Sequence, residues 1–367
     1  MYKRQSYALL HRDIDKLKKY TFHLVFLDEA QYIKNPQAKA TQAAYEIKSN
    51  HRLCLSGTPV ENNLGEFWSL MHFLMPGLLG RKDSFNTFYR VPIENQGDEE
   101  KRAALKSRVE ALILRRTKDE VAKELPPKTE LVHRIELSSK QKDLYEAIRA
   151  TMDKKIRQAI SVRGLDASQM FFLSALLKLR QICCHPSLLE DQKLNERSSK
   201  LDFTLELIET LLLEGRKILL FSQFTSMLDL IGSELQKRQH KYLLLTGATK
   251  DRSDLVDQFQ GGEAPIFLIS LKAGGTGLTL TEADTVIHYD PWWNPAVERQ
   301  ATDRAYRIGQ TKPVFVHKLI CEDTVEEKIF TLQRKKGDLA DALLSDSANL
   351  KLTPETLQSL LSSGPIE

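Results

Sequence analysis

The fold is decided by the stretch Leu24-Val-Phe-Leu-Asp-Glu-Ala-Gln31, in which four apolar residues run directly into two carboxylates. Short apolar runs bounded by polar residues are typical of buried parallel strands. A second such run, Leu53-Cys-Leu55, ends at Ser56-Gly-Thr-Pro59, and the segment 41–48 between the two runs has a helical pattern. Strand, helix and strand, with polar residues after both strands, predict an α/β unit whose ligand binds at the strand ends.

Four more apolar runs of this kind lie in the second half of the chain, at 218–221, 242–245, 266–269 and 286–289. Helical stretches separate the first three runs, and a helix over 201–212 precedes them, with Gly215 placed where a C-cap glycine belongs. Strands that alternate with helices predict a parallel sheet. The sequence therefore predicts an α/β fold of two lobes, whose strand ends can face one cleft.

Mainly helical segments lie between these lobes. The pattern predicts helices over 64–121 and 138–186, a strand over 129–137, and solvated or linking segments over 94–101 and 191–199. In the second helical segment, Met170, Leu173 and Leu177 are expected to form one apolar face.

Composition and charge set broad limits on function. The 367 residues are 41% hydrophobic and 28% charged, and a net charge of +4 permits nucleic-acid binding without indicating it. The four cysteines form no C-x-x-C pair, which argues against zinc. The run Cys183-Cys184-His185 is better explained by two small side chains at a helix end. No apolar run is long enough to span a membrane, so we expect a cytoplasmic (nucleoid-associated) or nuclear protein without a membrane partner.

The polar residues at the first two strand ends are candidates for nucleotide chemistry. Adjacent carboxylates such as Asp28 and Glu29 suit a magnesium–nucleotide site, where one holds the ion and the next orients the attacking water. The hydroxyls of Ser56 and Thr58 can sense the phosphate and relay its state to the other lobe. Each segment taken alone is also typical of a simple turn that ends a strand.

Two further segments in the second half can meet phosphates. Arg304 and Arg307 are three residues apart, which predicts that they share one face of a helix. There they can hold a γ-phosphate as arginine fingers, although a surface helix with two unrelated arginines is the alternative. The loop Lys272-Ala-Gly-Gly-Thr-Gly-Leu278 has three glycines that free backbone amides for phosphate. Because no Gly-Lys-Thr occurs, DNA backbone is a better target for it than ATP, and a structural turn stays possible.

In their order, these segments resemble the Swi/Snf family of superfamily-two helicase-like ATPases. The resemblance includes Asp-Glu-Ala-Gln at 28–31, Ser-Gly-Thr-Pro at 56–59, Ser-Gln-Phe at 222–224, the glycine loop and the double-arginine segment. Family-specific segments match at 114–118, 125–128, 179–186, 290–295 and 324–328, the fourth being Asp-Pro-Trp-Trp-Asn-Pro. The resemblance covers about residues 6–344, and it departs from the family at Cys184, where Asn is more usual.

The resemblance implies two RecA-like lobes with helical insertions, ATP between them, and a motor that moves along double-stranded DNA and remodels DNA-bound protein complexes. By the same resemblance, Asp28 would bind Mg²⁺, Glu29 would position the water, and Arg304 and Arg307 would be the fingers, with Gln300 nearby. The residues implied to meet DNA, or to couple it to the nucleotide, are Ser56, Gly57, Thr58, Gly275, Thr276, Gly277, Trp293 and Asn294.

The implied domains are the C-terminal part of lobe one over 1–125, a linker strand and helical insertion over 126–199, lobe two with its brace helix over 200–345, and a tail over 346–367. The family's first lobe begins with a Gly-x-Gly-Lys-Thr loop whose lysine meets the β- and γ-phosphates, and these 367 residues contain no such loop. We therefore expect an incomplete, poorly stable first lobe and no ATP turnover by this chain alone. A separate chain that supplies the loop is one possibility. A non-enzymatic DNA-binding scaffold is the alternative, although the intact carboxylates and arginines favour the motor.

Overall fold

The computed structural model describes residues 3–57, 64–114, 116, 118–164, 168–189, 197–274 and 277–343. The chain divides into two compact units, the first built mainly from Met1–Arg115 and the second from Arg116–Gly337. No helix in these ranges is long and apolar enough to cross a membrane.

The first unit contains a two-stranded parallel sheet. Strand β1 (Thr21–Leu27) pairs with β2 (Lys48–Cys54), which places Leu27 opposite Cys54. One face of this sheet packs against helices through a core that includes Leu27 and Phe73. The described helices of this unit are α1 (Tyr7–Leu17), α2 (Lys39–Glu46), α3 (Leu64–Leu74), α4 (Lys82–Phe85), α5 (Val91–Gln96) and α6 (Glu99–Val109).

The opposite face of this sheet, which we call the open face, consists of Leu24, Phe26, Leu53 and Leu55. These four side chains are 47–50% exposed. They lie on one side because residues two apart in a strand point the same way, and Phe26 is opposite Leu53. Parallel sheets are normally covered on both faces, whereas this face is about half exposed among the described residues.

The second unit contains a six-stranded parallel sheet among its described residues, in the order β3-β8-β7-β4-β6-β5. Its strands are β3 (Lys128–Ile135), β4 (Ile218–Ser222), β5 (Tyr242–Leu245), β6 (Ile266–Ser270), β7 (Thr285–His288) and β8 (Val314–Cys321). Every residue of β4, β6 and β7 is buried, and separate apolar clusters cover the two faces. This unit has the parallel α/β architecture that the alternating pattern predicts.

The helices of the second unit surround this sheet. Gly215 follows the helix that leads into β4 and has φ of 72°, as a C-cap glycine should. The described helices are α7 (Lys118–Val121), α8 (Ser139–Arg163), α9 (Gln169–Cys184), α10 (Ser199–Leu213), α11 (Thr225–Lys237), α12 (Arg252–Gln260), α13 (Leu271–Gly274), α14 (Pro295–Thr302) and α15 (Val325–Leu343).

Two local expectations are wrong. Met170, Leu173 and Leu177 are exposed, and α9 buries Phe172 and Leu176 instead, because this helix is apolar on several sides and periodicity alone cannot select the packed face. The solvated loop expected over 94–101 is instead the junction of α5 and α6, where the side chain of Asp98 accepts a hydrogen bond from Lys101 N at 3.0 Å. The linker expected over 191–199 lies largely outside the described residues.

Candidate functional site

The carboxyl ends of β1 and β2 lie side by side, and their two motifs are joined by hydrogen bonds. Ala30 N donates to Leu55 O at 2.8 Å, which continues the parallel pairing beyond the strands. Gln31 Nε2 donates to Glu29 Oε2 at 2.7 Å, and Ser56 Oγ donates to Gln31 Oε1 at 2.9 Å. The chain Glu29–Gln31–Ser56, which we call the strand-end relay, therefore connects the two predicted segments directly.

The backbone of Glu29 is left-handed, with φ of 50° and ψ of 52°. This conformation costs a non-glycine residue about 1–2 kcal/mol. It follows the exposed Asp28, whose Oδ1 accepts a hydrogen bond from Glu29 N at 3.0 Å and whose carbonyl accepts one from Tyr7 Oη at 2.7 Å. Burial, with the nearby Cys54 and the two carboxylates, raises the pKa of Tyr7, so the phenol keeps its proton and donates.

The donor set at this position fits a magnesium ion held by few protein ligands. Asp28 offers an exposed carboxylate, and Mg²⁺ usually takes one or two carboxylates together with water and phosphate oxygens. Glu29 is half-buried beside it, one residue along the left-handed turn. Tyr7 has no signal in the sequence, because its contact with Asp28 joins residues 21 positions apart.

The two arginines do not share a helix face, contrary to the sequence prediction. Helix α14 ends at Thr302, and turns and bends follow over 303–309. The physical reason is that the carbonyl of Arg304 accepts a hydrogen bond from Leu280 N at 2.9 Å, a partner outside the helix. Arg304 is buried and its Nη1 donates to Leu278 O at 3.3 Å, whereas Arg307 is exposed.

Gln310 holds the double-arginine segment in place. Its Nε2 donates to the carbonyls of Thr281, Ala283 and Ala305 at 2.7–3.1 Å, and its Oε1 accepts from the next two backbone amides at 2.9 Å. One buried side chain thus lies within hydrogen-bond distance of five backbone groups from three chain segments, with its two N–H groups shared among three carbonyls. Gln300, predicted to lie near the nucleotide, is half-buried on α14.

The predicted DNA-contacting glycines that the structure describes have accessible backbones. Gly57 and Gly277 are exposed, and a Cβ placed on either would meet no atom within 4 Å. Gly277 has φ of 56°, a conformation that suits glycine. Thr58, Gly275 and Thr276 lie outside the described residues.

Residues 290–294, which we call the tryptophan loop, connect β7 to α14. Trp293 and Asn294 are half-buried. Asn294 caps α14, since its Oδ1 accepts a hydrogen bond from Ala296 N at 3.0 Å. The buried Glu298 accepts one from Trp292 N at 2.7 Å. Burial raises the pKa of Glu298, and the hydrogen bond from Trp292 acts in the opposite direction.

Two buried cysteines lie close to a buried carboxylate in the second unit. Sγ of Cys183, Sγ of Cys321 and a carboxylate oxygen of Glu326 lie within 4.8 Å of one another. However, the ammonium of Lys200 already forms a fully buried ion pair with Glu326, so a positive charge is present. Cys184 contacts its neighbours through its backbone. Its carbonyl accepts hydrogen bonds from the side chains of Ser198 and Tyr289.

Two family models cover most of the chain: an SNF2-related domain matches residues 5–188, and a helicase conserved C-terminal domain matches residues 199–309. The chain belongs to the Swi/Snf family of superfamily-two ATPases. Within this Swi/Snf chain, the strand-end relay lies in the first matched domain, and the tryptophan loop and arginines lie in the second.

Relatives with similar sequences are known from bacteria and eukaryotes. An ATP-dependent helicase/translocase of Bacillus subtilis is 41% identical over 366 residues, which are 97% of this chain and 39% of that protein. The human SWI/SNF-related matrix-associated actin-dependent regulator of chromatin subfamily A member 1 is 36% identical over 338 residues, which are 88% of this chain and 32% of that protein. The Swi/Snf chain thus spans between about a third and two fifths of these relatives' lengths.

Solved structures show the same fold. The SWI2/SNF2 ATPase core domain of Sulfolobus solfataricus matches with a TM-score of 0.53 and 37% identity, over 98% of this chain and 74% of that chain. The core from the same organism in complex with dsDNA matches with a TM-score of 0.50 and 39% identity, over 93% and 72%. The RecA-like α/β architecture of this Swi/Snf chain is thereby established, as the sequence predicts.

Proposed function

We propose that this chain is part of an ATP-dependent motor that translocates along double-stranded DNA and remodels DNA-bound protein complexes. The observation that carries the proposal is the strand-end relay from Glu29 through Gln31 to Ser56. It joins a candidate water-positioning carboxylate to the neighbouring strand-end motif, so a phosphate bound at one affects the other. The relative named as a helicase/translocase and the core crystallised with dsDNA support it.

In this proposal, ATP supplies the phosphoryl group and Mg²⁺ neutralises its developing charge. Asp28 holds the ion and Glu29 orients the attacking water. Arg307 is the accessible finger for the γ-phosphate, and Arg304 is the second finger. Gln300 lies beside the nucleotide.

Contacts to DNA are proposed to be mostly with phosphates. The backbone at Gly57 and Gly277 can approach a phosphate closely, and Lys272, Arg299 and Lys312 are exposed cations of the second unit. Phosphate contacts carry no sequence information and weaken with salt. Binding should therefore be salt-sensitive and independent of sequence. The other proposed contacts are Ser56, Thr58, Gly275, Thr276, Trp293 and Asn294.

The chain is proposed to be inactive by itself, because its 367 residues include no Gly-x-Gly-Lys-Thr loop for the phosphates. A polypeptide that carries this loop and further parallel strands would complete the first lobe. The open face supports this part of the proposal, since four large apolar side chains there are about half exposed. About a quarter of the Sulfolobus core has no counterpart in this chain, which is enough for such a segment.

The test is a DNA-stimulated ATPase assay on the purified chain, alone and co-purified with a polypeptide that carries the phosphate loop. We expect no turnover by the chain alone, and turnover by the complex that dsDNA stimulates and Glu29→Gln abolishes. Glu110→Gln, an exposed carboxylate of the same unit, is the matched control. Turnover by the chain alone, lost in Glu29→Gln, would refute the proposed inactivity. DNA binding by a complex that never hydrolyses ATP would favour the scaffold.

A further inference from the structure

Arg180 of α9 is a buried arginine whose guanidinium reaches two separate segments of the second unit. It is only 3% exposed. Nη1 donates to Gln223 Oε1 at 2.9 Å, and Nη2 lies 3.4 Å from Asp290 Oδ2 and also donates to the carbonyl of Pro291. One side chain therefore joins the helical insertion, the turn after β4, and the tryptophan loop.

The same guanidinium lies among aromatic rings of these two segments. Its central carbon is 5.9 Å from the ring centre of Phe224, 6.0 Å from that of Trp292 and 5.4 Å from that of Trp293. A cation within about 6 Å of a ring centre is attracted by the ring's negative face. Arg180 thus holds both the backbone and the two indoles of the tryptophan loop.

Asp290 anchors the first residue of the tryptophan loop from the other side. It is fully buried, and its Oδ1 accepts hydrogen bonds from Ser222 Oγ at 2.6 Å and from Gln223 N at 3.2 Å. Burial raises the pKa of Asp290, and Arg180 and Ser222 lower it. Among the described residues, Arg180 is the cation paired with this buried carboxylate.

A second anchor holds the middle of the loop independently of Arg180. Gln333 of α15 donates to Glu298 Oε1 at 2.7 Å and to the carbonyl of Trp292, while Trp292 N donates to the same carboxylate oxygen. Loss of Arg180 would consequently not unfold the whole loop. It would free the carbonyl of Pro291 and the indole of Trp293, which neither this second anchor nor the hydrogen bonds to Asp290 contact.

We propose that Arg180 is a positioning residue, which fixes the tryptophan loop in the orientation that binds duplex DNA and so makes DNA affinity depend on the placement of α9. The proposal rests on the proposed DNA-binding function of that loop. A buried ion pair is weak evidence for stability alone, because well-packed apolar residues often replace one without loss. The planar guanidinium of Arg180 instead links α9 to the turn after β4 and to the tryptophan loop. Several directed hydrogen bonds from one rigid group fix the orientation of the segments that accept them.

The test uses two variants of the full chain that avoid leaving a lone buried charge. Arg180→Lys keeps the charge and loses the fork, and Arg180→Met/Asp290→Asn removes both charges together. Arg157→Met is the matched control, because Arg157 is an exposed arginine of α8 that pairs with Asp153. Each is compared in unfolding midpoint, tryptophan emission and affinity for a labelled DNA duplex.

We expect both Arg180 variants to fold, to change tryptophan emission, and to bind the duplex at least about tenfold more weakly, which corresponds to about 1.4 kcal/mol. The control should match the unaltered chain. The emission change reports on the loop, because Trp68 belongs to the first unit and Trp292 and Trp293 to the second.

A folded Arg180 variant that binds the duplex as tightly as the unaltered chain would overturn the proposal. Loss of folding in both variants would also overturn it, because Arg180 would then be a structural residue. Failure of the unaltered chain to bind any duplex would refute DNA binding by this chain instead. In that case an unchanged tryptophan emission in Arg180→Lys would overturn the positioning role, and a changed emission would support it.

Discussion

Lys200→Met should destabilise the second unit by about 3–5 kcal/mol, because it leaves the carboxylate of Glu326 buried without its counter-charge. Both side chains are fully buried and paired. Lys200 Nζ also donates to Tyr289 O at 3.1 Å and to Leu319 O at 3.3 Å. Burial acts to lower the pKa of Lys200, but the facing Cys321 and Glu326 outweigh it and raise that pKa. The lysine is therefore charged in the folded protein.

The upper part of the expected destabilisation by Lys200→Met comes from the carbonyls of Tyr289 and Leu319. Each loses a donor in Lys200→Met, and an unsatisfied buried acceptor adds about 1–3 kcal/mol. In the unaltered chain, Cys321 N donates to Glu326 Oε2 at 3.0 Å. The double variant Lys200→Met/Glu326→Gln removes both charges but keeps an amide oxygen that can accept this hydrogen bond. We expect it to recover most of the loss, because the cost lies in the unpaired charge rather than in the missing pair.

The assay is native-state hydrogen exchange, in which the slowest amides of β4 and β6 report the unfolding free energy of the second unit alone. Lys237→Met is the control, since Lys237 and Glu234 form an exposed pair on α11 that contributes about 0–1 kcal/mol. A cost of Lys200→Met no greater than that of this control would refute the role of the unpaired buried charge. A loss in the double variant equal to the summed losses of Lys200→Met and Glu326→Gln would refute it as well.

Three further outcomes are expected. Burial lowers the pKa of His288 to about 3. The unfolded chain, with a histidine pKa of about 6.5, binds more protons between these values, so the contribution of His288 to stability falls by about 2 kcal/mol as the pH drops from 7.5 to 5. Urea unfolding at both pH values should show this loss, and an equal loss in His288→Gln would contradict its origin. The exposed apolar side chains of the open face are expected to cause self-association. Phe26→Lys should reduce that association in sedimentation velocity with little effect on stability, whereas buried Leu27→Ala should cost about 2–5 kcal/mol; association that Phe26→Lys leaves unchanged would contradict an accessible face. Gln310→Leu should cost about 1–3 kcal/mol in thermal unfolding because it strips donors from buried carbonyls, and a neutral effect would show that water replaces them.

The strands and the strand-end motifs were predictable because their signals are local. Four apolar residues before Asp28 predict a parallel strand, and parallel pairing then brings Ser56 to the same sheet edge. The expectation that this strand is buried is wrong, because only Leu27 of β1 is buried and Leu24 and Phe26 lie on the open face. β8 escaped prediction, although Val314–Cys321 is almost wholly buried, because His317 and Lys318 interrupt its apolar run. Its place beside β3 depends on pairing between residues about 186 positions apart, which no local pattern encodes.

The anchoring side chains could not be predicted for a related reason. The spacing of Arg304 and Arg307 predicts a shared helix, but Leu280 N donates to the carbonyl of Arg304 and the helix ends before it. Arg180 and Lys200 look like ordinary helix-surface cations in the sequence, and only the fold brings Asp290 and Glu326 to them across more than 100 positions. Buried charge pairs of this kind are set by tertiary packing, so sequence spacing carries no trace of them.

Because the backbone of Glu29 is left-handed, the residue that would be most stable at this position differs from the one that the proposed activity requires. Glycine would relieve most of the conformational strain there, and Glu29→Gly is expected to raise the thermal stability of the first unit. The same change would delete the carboxylate that the proposed chemistry needs. Selection of variants for thermal stability alone would therefore favour loss of the Glu29 carboxylate. A screen for stabilised variants must keep glutamate at position 29.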